Sequence, residues 1–325
     1  MASSLLVPTR TVDESSIRTP LLCPICGKQG SVPHLQAPDR FHLGKELYQL
    51  VRCPACSPVW LENPPAPEEM PHHYGEAYHR AVTVSGETKP DARWRAPRDR
   101  VLKMASGGAL LDIGCSPDAF LRTFKGGGWD LYGIEISAEE ARKAEVSTGA
   151  RVHVGDVLDA PFPSRSFDVI TCFHVLEHVY RPVETISKAW DWLKYGGIFY
   201  LAVPNIESLE ASIFRSYWYG LELPRHLCHF SPASLRCLFE PSGFEELLLH
   251  TNADCYVEQS VRYVFDDLLM KVGISRSPLA AGGATPSIAW KAFRKAFRLG
   301  FLSPFRRLAA ITGHGAAIEA VFRKR

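Results

Sequence analysis

The stretch Ala109-Leu110-Leu111-Asp112-Ile113-Gly114-Cys115-Ser116-Pro117-Asp118-Ala119-Phe120 constrains the fold more than any other. Four of its first five positions are apolar, the signature of a short strand buried on both faces. The chain must then turn at Gly114 and open a helix. The spacing predicts that helix over 117–124, with Pro117 in the first turn, where a missing N–H does no harm. A buried strand, a glycine turn and a helix N-terminus begin a nucleotide-binding βα unit. Many α/β folds start this way, so the later segments must decide which one this is.

At 325 residues the chain suffices for one large or two modest domains. A charged fraction of 22% and a formal net charge of +2 describe an ordinary globular protein and name no partner. No apolar run approaches the roughly twenty residues of a membrane span. Residues 1–20 lack a charged segment followed by an apolar core, so they read as a disordered leader without a signal peptide. The location expected is cytoplasmic.

Nine cysteines in a chain of this length do not suggest a disulfide scaffold. Four of them form a repeated knuckle, Cys23-Pro24-Ile25-Cys26 and Cys53-Pro54-Ala55-Cys56, separated by 26 residues. Two residues between thiolates let both sulfurs of a turn face one ion, and four sulfurs close a tetrahedral structural zinc shell. Buried or redox-active cysteines are the alternative. The gap is expected to hold a hairpin such as residues 41–51, giving a small zinc-ribbon-like lobe over residues 21–70. A proline-rich linker follows, then His72-His73-Tyr74-Gly75-Glu76-Ala77-Tyr78-His79, read as an aromatic segment facing an acceptor.

From residue 71 to 255 strands alternate with helical segments. A helical pattern at 89–104 precedes the opening strand. The later strands are predicted at 129–135, 152–157, 167–173 and 197–205, with helices at 137 onward and 182–193. Glu135 ends its strand about twenty residues beyond the glycine turn, where a carboxylate can accept both hydroxyls of a ribose. The fold class expected is α/β, a Rossmann-like doubly wound sheet closed by an antiparallel strand at 313–325. The ligand belongs at the C-terminal ends of the parallel strands.

The ordered set Leu110-Leu111-Asp112-Ile113-Gly114-Cys115, Tyr132-Gly133-Ile134-Glu135, Gly155-Asp156-Val157, Phe167-Asp168-Val169-Ile170, His174-Val175-Leu176-Glu177-His178-Val179 and Leu193-Lys194-Tyr195-Gly196-Gly197 resembles class I S-adenosylmethionine-dependent methyltransferases. With the cysteine pairs and Pro224-Arg225-His226-Leu227-Cys228-His229-Phe230-Ser231, it resembles a subgroup carrying a zinc lobe and acting on sugars and secondary metabolites. The resemblance implies that Gly114 admits the cofactor, with Cys115, Ser116 and Ile136 beside it, and that Asp112 orients its amino end. It likewise implies that Glu135 holds the ribose and that Asp156 and Val157 meet the adenine. Phe173 and His174 would lie along the methionine portion. Ser116 and Asp118 stand where that pattern has glycine. Asp118 suits a helix N-terminus but opposes the cofactor's carboxylate.

A hydroxyl acceptor gains from a base, and His178, just after the fourth core strand, is the first candidate. Capping and packing by Glu177 and His178 is the alternative. His226 and Tyr78 are further candidates, near the aromatic run Tyr217-Trp218-Tyr219. In the sugar carbon-methyltransferases that this region resembles, a glutamate stands at the position of Arg225, which leans the reading toward oxygen. Arg225 has two readings, a contact to an anionic substrate group or a structural ion pair.

Residues 256–312 read as a basic helical insertion, since 268–318 contain no Asp or Glu. Trp290, Phe293 and Phe297 recur there at helical spacing. Packing against the core or a dimer partner is the plainer reading, and peripheral membrane contact through 286–309 the alternative. The function expected is methyl transfer to a hydroxyl of a small molecule, sugar or glycan. RNA methylation, using the lobe and insertion to hold nucleic acid, and a catalytically degenerate scaffold are the competing readings.

Overall fold

The computed structural model describes residues 22–41, 46–74, 90–115, 120–252, 256–271, 300 and 303–325. Ser116, Asp118, Tyr78, the expected leader, and Trp290, Phe293 and Phe297 lie outside the described residues.

The N-terminal lobe is a hairpin of β1 (Val32–Pro38) and β2 (Leu47–Arg52), extended by β3 (Val59–Leu61). The hairpin between the cysteine pairs is longer than expected, and Phe41 lies in its connection rather than in a strand. The knuckles bracket it. In each, a backbone N–H four residues on closes onto the first cysteine's carbonyl, from Gly27 to Cys23 and from Ser57 to Cys53, both at 3.0 Å. Gly27 and Ser57 each take a left-handed conformation to do so.

The core begins with α1 (Pro90–Met104) and β4 (Gly108–Ile113). Leu110, Leu111 and Ile113 of β4 are buried, as a strand covered on both faces requires. A short 3-10 turn, Phe120–Phe124, stands where a helix over 117–124 is predicted. Next come β5 (Trp129–Glu135), α2 (Ala138–Thr148), β6 (Arg151–Val154) and β7 (Phe167–Phe173). The Ser137 hydroxyl caps α2 by accepting the Glu140 N–H, and Gly149 ends the helix in a left-handed conformation. Then α3 (Pro182–Trp192) leads into β8 (Leu193–Pro204), which starts four residues before the expected strand.

Beyond β8 lie α4 (Leu209–Phe214), the two-residue strand β9 (Cys228–His229), α5 (Pro232–Phe239) and β10 (Phe244–Asn252). The chain closes with α6 (Val257–Lys271), α7 (Ser303–Ile311) and β11 (Ala317–Lys324). The main sheet has the order β10-β11-β8-β7-β4-β5-β6. Its central strands are parallel, and β11 runs antiparallel between β8 and β10. Strand order reverses between β4 and β7, so the crevice for a ligand opens at their C-terminal ends.

The small sheet has the order β1-β2-β3-β9. Its fourth strand comes from the core: Val59 pairs with His229 and Trp60 with Cys228. Lobe and core therefore share one sheet.

Candidate active site

At the switch point Gly114 turns with φ +76°, and a Cβ there would lie 2.3 Å from Val175 Cγ2. Glycine is required by both backbone and space. The N–H groups of Gly114 and Cys115 donate to the Ile134 carbonyl and bind the turn to β5. Asp112 sits just beneath, 4% exposed, its Oδ1 accepting the Thr171 hydroxyl at 2.6 Å. Burial pushes its carboxyl up to about 7, with the nearby charge of Glu135 adding to the rise and the Thr171 bond opposing it.

Glu135 ends β5 and accepts the Ser137 N–H through Oε1 at 3.1 Å, while burial raises its pKa. Ile136, beside it, is 78% exposed at the edge of the crevice. Asp156 is exposed and caps a 3-10 turn by accepting the Leu158 N–H, and Val157 is buried behind it. Phe173 gives its ring to an aromatic group with Trp94, Phe120 and Tyr200, at centroid distances of 4.9–5.2 Å. At the strand exit His174 takes a left-handed conformation, φ +57°, and its N–H donates to the Ala202 carbonyl.

Directly after β7, the turn Leu176–His178 carries a buried acid. Glu177 is 1% exposed and neither of its oxygens accepts a hydrogen bond. His174 Nδ1 stands 3.5 Å from its Oε1. Burial would raise this carboxyl, but His174, His226 and His178 around it hold it down at about 2. His178 and His226 pack edge to face with ring centroids 4.6 Å apart. Each uses Nδ1 on a backbone carbonyl: His178 on Arg225 at 3.0 Å, His226 on Gly220 at 2.9 Å. A carbonyl only accepts, so both imidazoles carry their proton on Nδ1 and leave Nε2 as a lone pair. Burial lowers both to about 4, so both are neutral at physiological pH.

The lobe reaches this cluster directly. The Tyr74 hydroxyl lies 3.1 Å from His178 Nδ1. Arg225 is fully buried and makes a two-pronged ion pair with Asp39 at 3.0 and 3.2 Å, and it also donates to the carbonyls of His73 and Leu223. Of its two sequence readings, the ion pair is the one formed. Trp218 is buried in the core, while Tyr219 stacks on Tyr263 at 5.8 Å. Glu222 comes within 3.6 Å of His226 Nε2.

Two acids escaped the sequence reading as chemistry. Glu177 reads as a cap because it precedes a histidine at a turn, and Glu222 has only its four-residue spacing from His226 to mark it.

In the lobe, Cys23, Cys26, Cys53 and Cys56 bring their sulfurs within 4.8 Å of one another. Cys23 Sγ lies 3.5 Å from Cys56 Sγ, and Cys26 Sγ 3.7 Å from Cys53 Sγ. Burial raises the Cys23 thiol to about 11. It acts on Cys53 in the same sense, but the N–H groups of Cys56 and Ala55 bring that thiol down to about 7.

The family model described as "Methyltransferase domain" matches residues 87–249, half of the chain. A probable S-adenosylmethionine-dependent methyltransferase of Mycolicibacterium smegmatis is 27% identical over 163 residues, 45% of this chain and 55% of that protein. The 27-O-demethylrifamycin SV methyltransferase of Amycolatopsis mediterranei is 28% identical over 169 residues, 46% and 61% of the two chains. The chain thus spans 55–61% of the length of these curated relatives. In structure it resembles an S-adenosylmethionine-dependent methyltransferase of Archaeoglobus fulgidus, with a TM-score of 0.51 at 17% identity, covering 76% of this chain and all of that one.

Proposed function

Because the chain belongs to the class I S-adenosylmethionine-dependent methyltransferase domain family, we propose that it transfers the methyl group of S-adenosylmethionine to a hydroxyl oxygen of a small, sugar-containing or glycan-linked molecule. One observation carries this reading: the crevice at the ends of β4, β5 and β7 adjoins a buried Glu177–His178–His226 cluster. The first belongs to a nucleoside-bearing donor and the second to an acceptor that must lose a proton.

On the donor side, Glu135 holds the ribose hydroxyls and Asp112 meets the cofactor's ammonium. Gly114 and Cys115 supply a backbone turn along the methionine portion with His174, while Ile136, Asp156 and Val157 frame the adenine. The ring of Phe173 supports this wall from behind. Displacement at a sulfonium is in line, so positioning supplies much of the rate.

On the acceptor side, His178 and His226 turn their Nε2 atoms into the cluster. With the carboxylate of Glu177 beside them, they lower the cost of taking the proton from the acceptor hydroxyl. The matched rifamycin relative, which its name places on an oxygen, supports the choice of atom.

We further infer structural zinc in the lobe, held by Cys23, Cys26, Cys53 and Cys56. Zinc–sulfur bonds of about 2.3 Å put tetrahedral sulfurs about 3.8 Å apart, close to the 3.5 and 3.7 Å found. Four thiolates fill the shell, so zinc here braces the fold and leaves no position for substrate.

Calorimetry with S-adenosylmethionine tests the donor side, and absence of binding by the pure, zinc-loaded protein overturns the reading. A methyl-transfer screen against hydroxyl-bearing metabolites tests the acceptor side. The His178→Ala protein is expected to bind the donor normally and to lose turnover.

A further inference from the structure

We propose that Glu177, His178 and His226 bind a divalent transition-metal ion that receives the acceptor hydroxyl beside the methyl donor. This deepens, and rests on, the reading that the cluster faces the acceptor.

Three features point to a cation. The first is the donor set, whose three ligand atoms already lie within 4.8 Å of one another. Around zinc, imidazole nitrogens at about 2.0–2.1 Å stand about 3.4 Å apart, so closing the shell needs inward movements of at most about 1.4 Å.

The second is how the imidazoles are held. Metal-bound histidines donate their other ring N–H to a carbonyl or carboxylate, which fixes the tautomer and aims the lone pair. Both rings are anchored this way, on the carbonyls of Arg225 and Gly220. The two carbonyls belong to separate segments, yet the two rings they hold pack with centroids 4.6 Å apart.

The third is charge. Glu177 is 1% exposed, and the ring nearest its Oε1 is His174, with Nδ1 at 3.5 Å. Glu222 approaches His226 at the same Nε2, 3.6 Å away, and Asp39 pairs with Arg225. Against these three acids the buried cation is Arg225, which pairs with Asp39 and lies 3.8 Å from Glu222. Glu177 and Glu222 thus bring two carboxylates to the two imidazoles, a donor set that a divalent ion would meet.

Two imidazoles and one carboxylate leave coordination positions open and suit borderline ions such as Zn2+, Co2+ or Fe2+. With both lone pairs on the ion, the metal takes over the histidines' role as base, and a hydroxyl bound there loses its proton to solvent at lower pH than a free one. The resulting oxygen anion forms the new O–C bond as the C–S bond of the sulfonium breaks. The electron pair of that bond returns to sulfur, leaving a neutral thioether. No electron is exchanged with the metal.

The test uses the full chain, its cysteine site first filled with Zn2+, then titrated with Co2+ and followed by visible absorption and elemental analysis. The expected result is one equivalent of Co2+ whose spectrum lacks thiolate charge-transfer bands. The Glu177→Gln and His226→Ala proteins, shown by circular dichroism to be folded, should each lose that equivalent. Wild-type protein that takes up no Co2+ beyond its cysteine site overturns the proposal, as does uptake unchanged in Glu177→Gln. S-adenosylmethionine binding measured in parallel separates the two claims. Donor binding without Co2+ uptake removes the ion and keeps the methyltransferase reading, whereas Co2+ uptake without donor binding does the reverse.

Discussion

Asp112 is expected to cost the empty protein stability that its ligand returns. Its carboxyl is 4% exposed and burial raises its pKa from 3.8 to about 7. An acid whose pKa is higher folded than unfolded binds protons more tightly in the folded state. Stability is therefore lost as pH rises from the unfolded value to the folded one, and the loss is complete above about pH 7. At 1.36 kcal/mol per unit the cost reaches about 4 kcal/mol. Asp112→Asn keeps the shape and still accepts the Thr171 hydroxyl, but it has no charge to bury. Urea unfolding of the cofactor-free variant should show it more stable than wild type at about pH 8.5, by up to about 4 kcal/mol. The gain should shrink on acidification and vanish near pH 4. Calorimetry should show the opposite for function. Losing a charge-assisted bond of about 1.5–3 kcal/mol weakens S-adenosylmethionine by about 10- to 100-fold. A variant less stable than wild type at about pH 8.5, or a gain that ignores pH, would refute the reasoning.

Three further outcomes follow from the same geometry. Asp39→Ala removes the two-pronged carboxylate partner of the buried Arg225 and should destabilise the protein by about 3–5 kcal/mol in urea. Gly114→Ala forces a Cβ against Val175 at a positive φ and should cost about 1–3 kcal/mol in thermal melts. Adding Val175→Ala should recover the steric part alone. If the four cysteines hold zinc, as proposed, a chelator should speed amide exchange at 227–229, which pair with β3, while residues 110–113 in the central sheet stay protected.

What the sequence made legible was local. The buried run 110–113, the glycine after it and the acid ending β5 are neighbours along the chain, so period and spacing read them directly. The cysteine pairs are legible for the same reason, since each knuckle is a closed turn. The acceptor side is assembled from distant pieces. Asp39 and Arg225 are 186 positions apart, and Tyr74 and His178 are 104 apart. Nothing in the Pro-Arg-His segment announces that its arginine points back into the lobe. The helix expected at 117–124 also rests on local pattern alone. Its described part, residues 120–124, is a 3-10 turn whose Phe120, Leu121 and Phe124 serve the core beneath α1.

The same long-range contacts explain why a binding lobe and a Rossmann-like core belong in one chain. Glu177, His178 and His226 all stand on short irregular segments, which on their own hold side chains less firmly than helices or strands. The lobe supplies the missing rigidity. The Leu61 N–H donates to the Leu227 carbonyl, and the Leu227 N–H donates to the Glu177 carbonyl. One residue of the His226 segment is thus clamped between the lobe's last strand and the turn that bears the buried acid. On the far side, the Ile206 N–H donates to the Phe230 carbonyl and ties the segment to the end of β8. A tetrahedral ion in the knuckles would fix Cys53 and Cys56, which lie in the turn leading into β3, and through β3 it would fix β9. The proposed zinc would then act on the acceptor site by keeping His226 in place, without touching the reacting atoms.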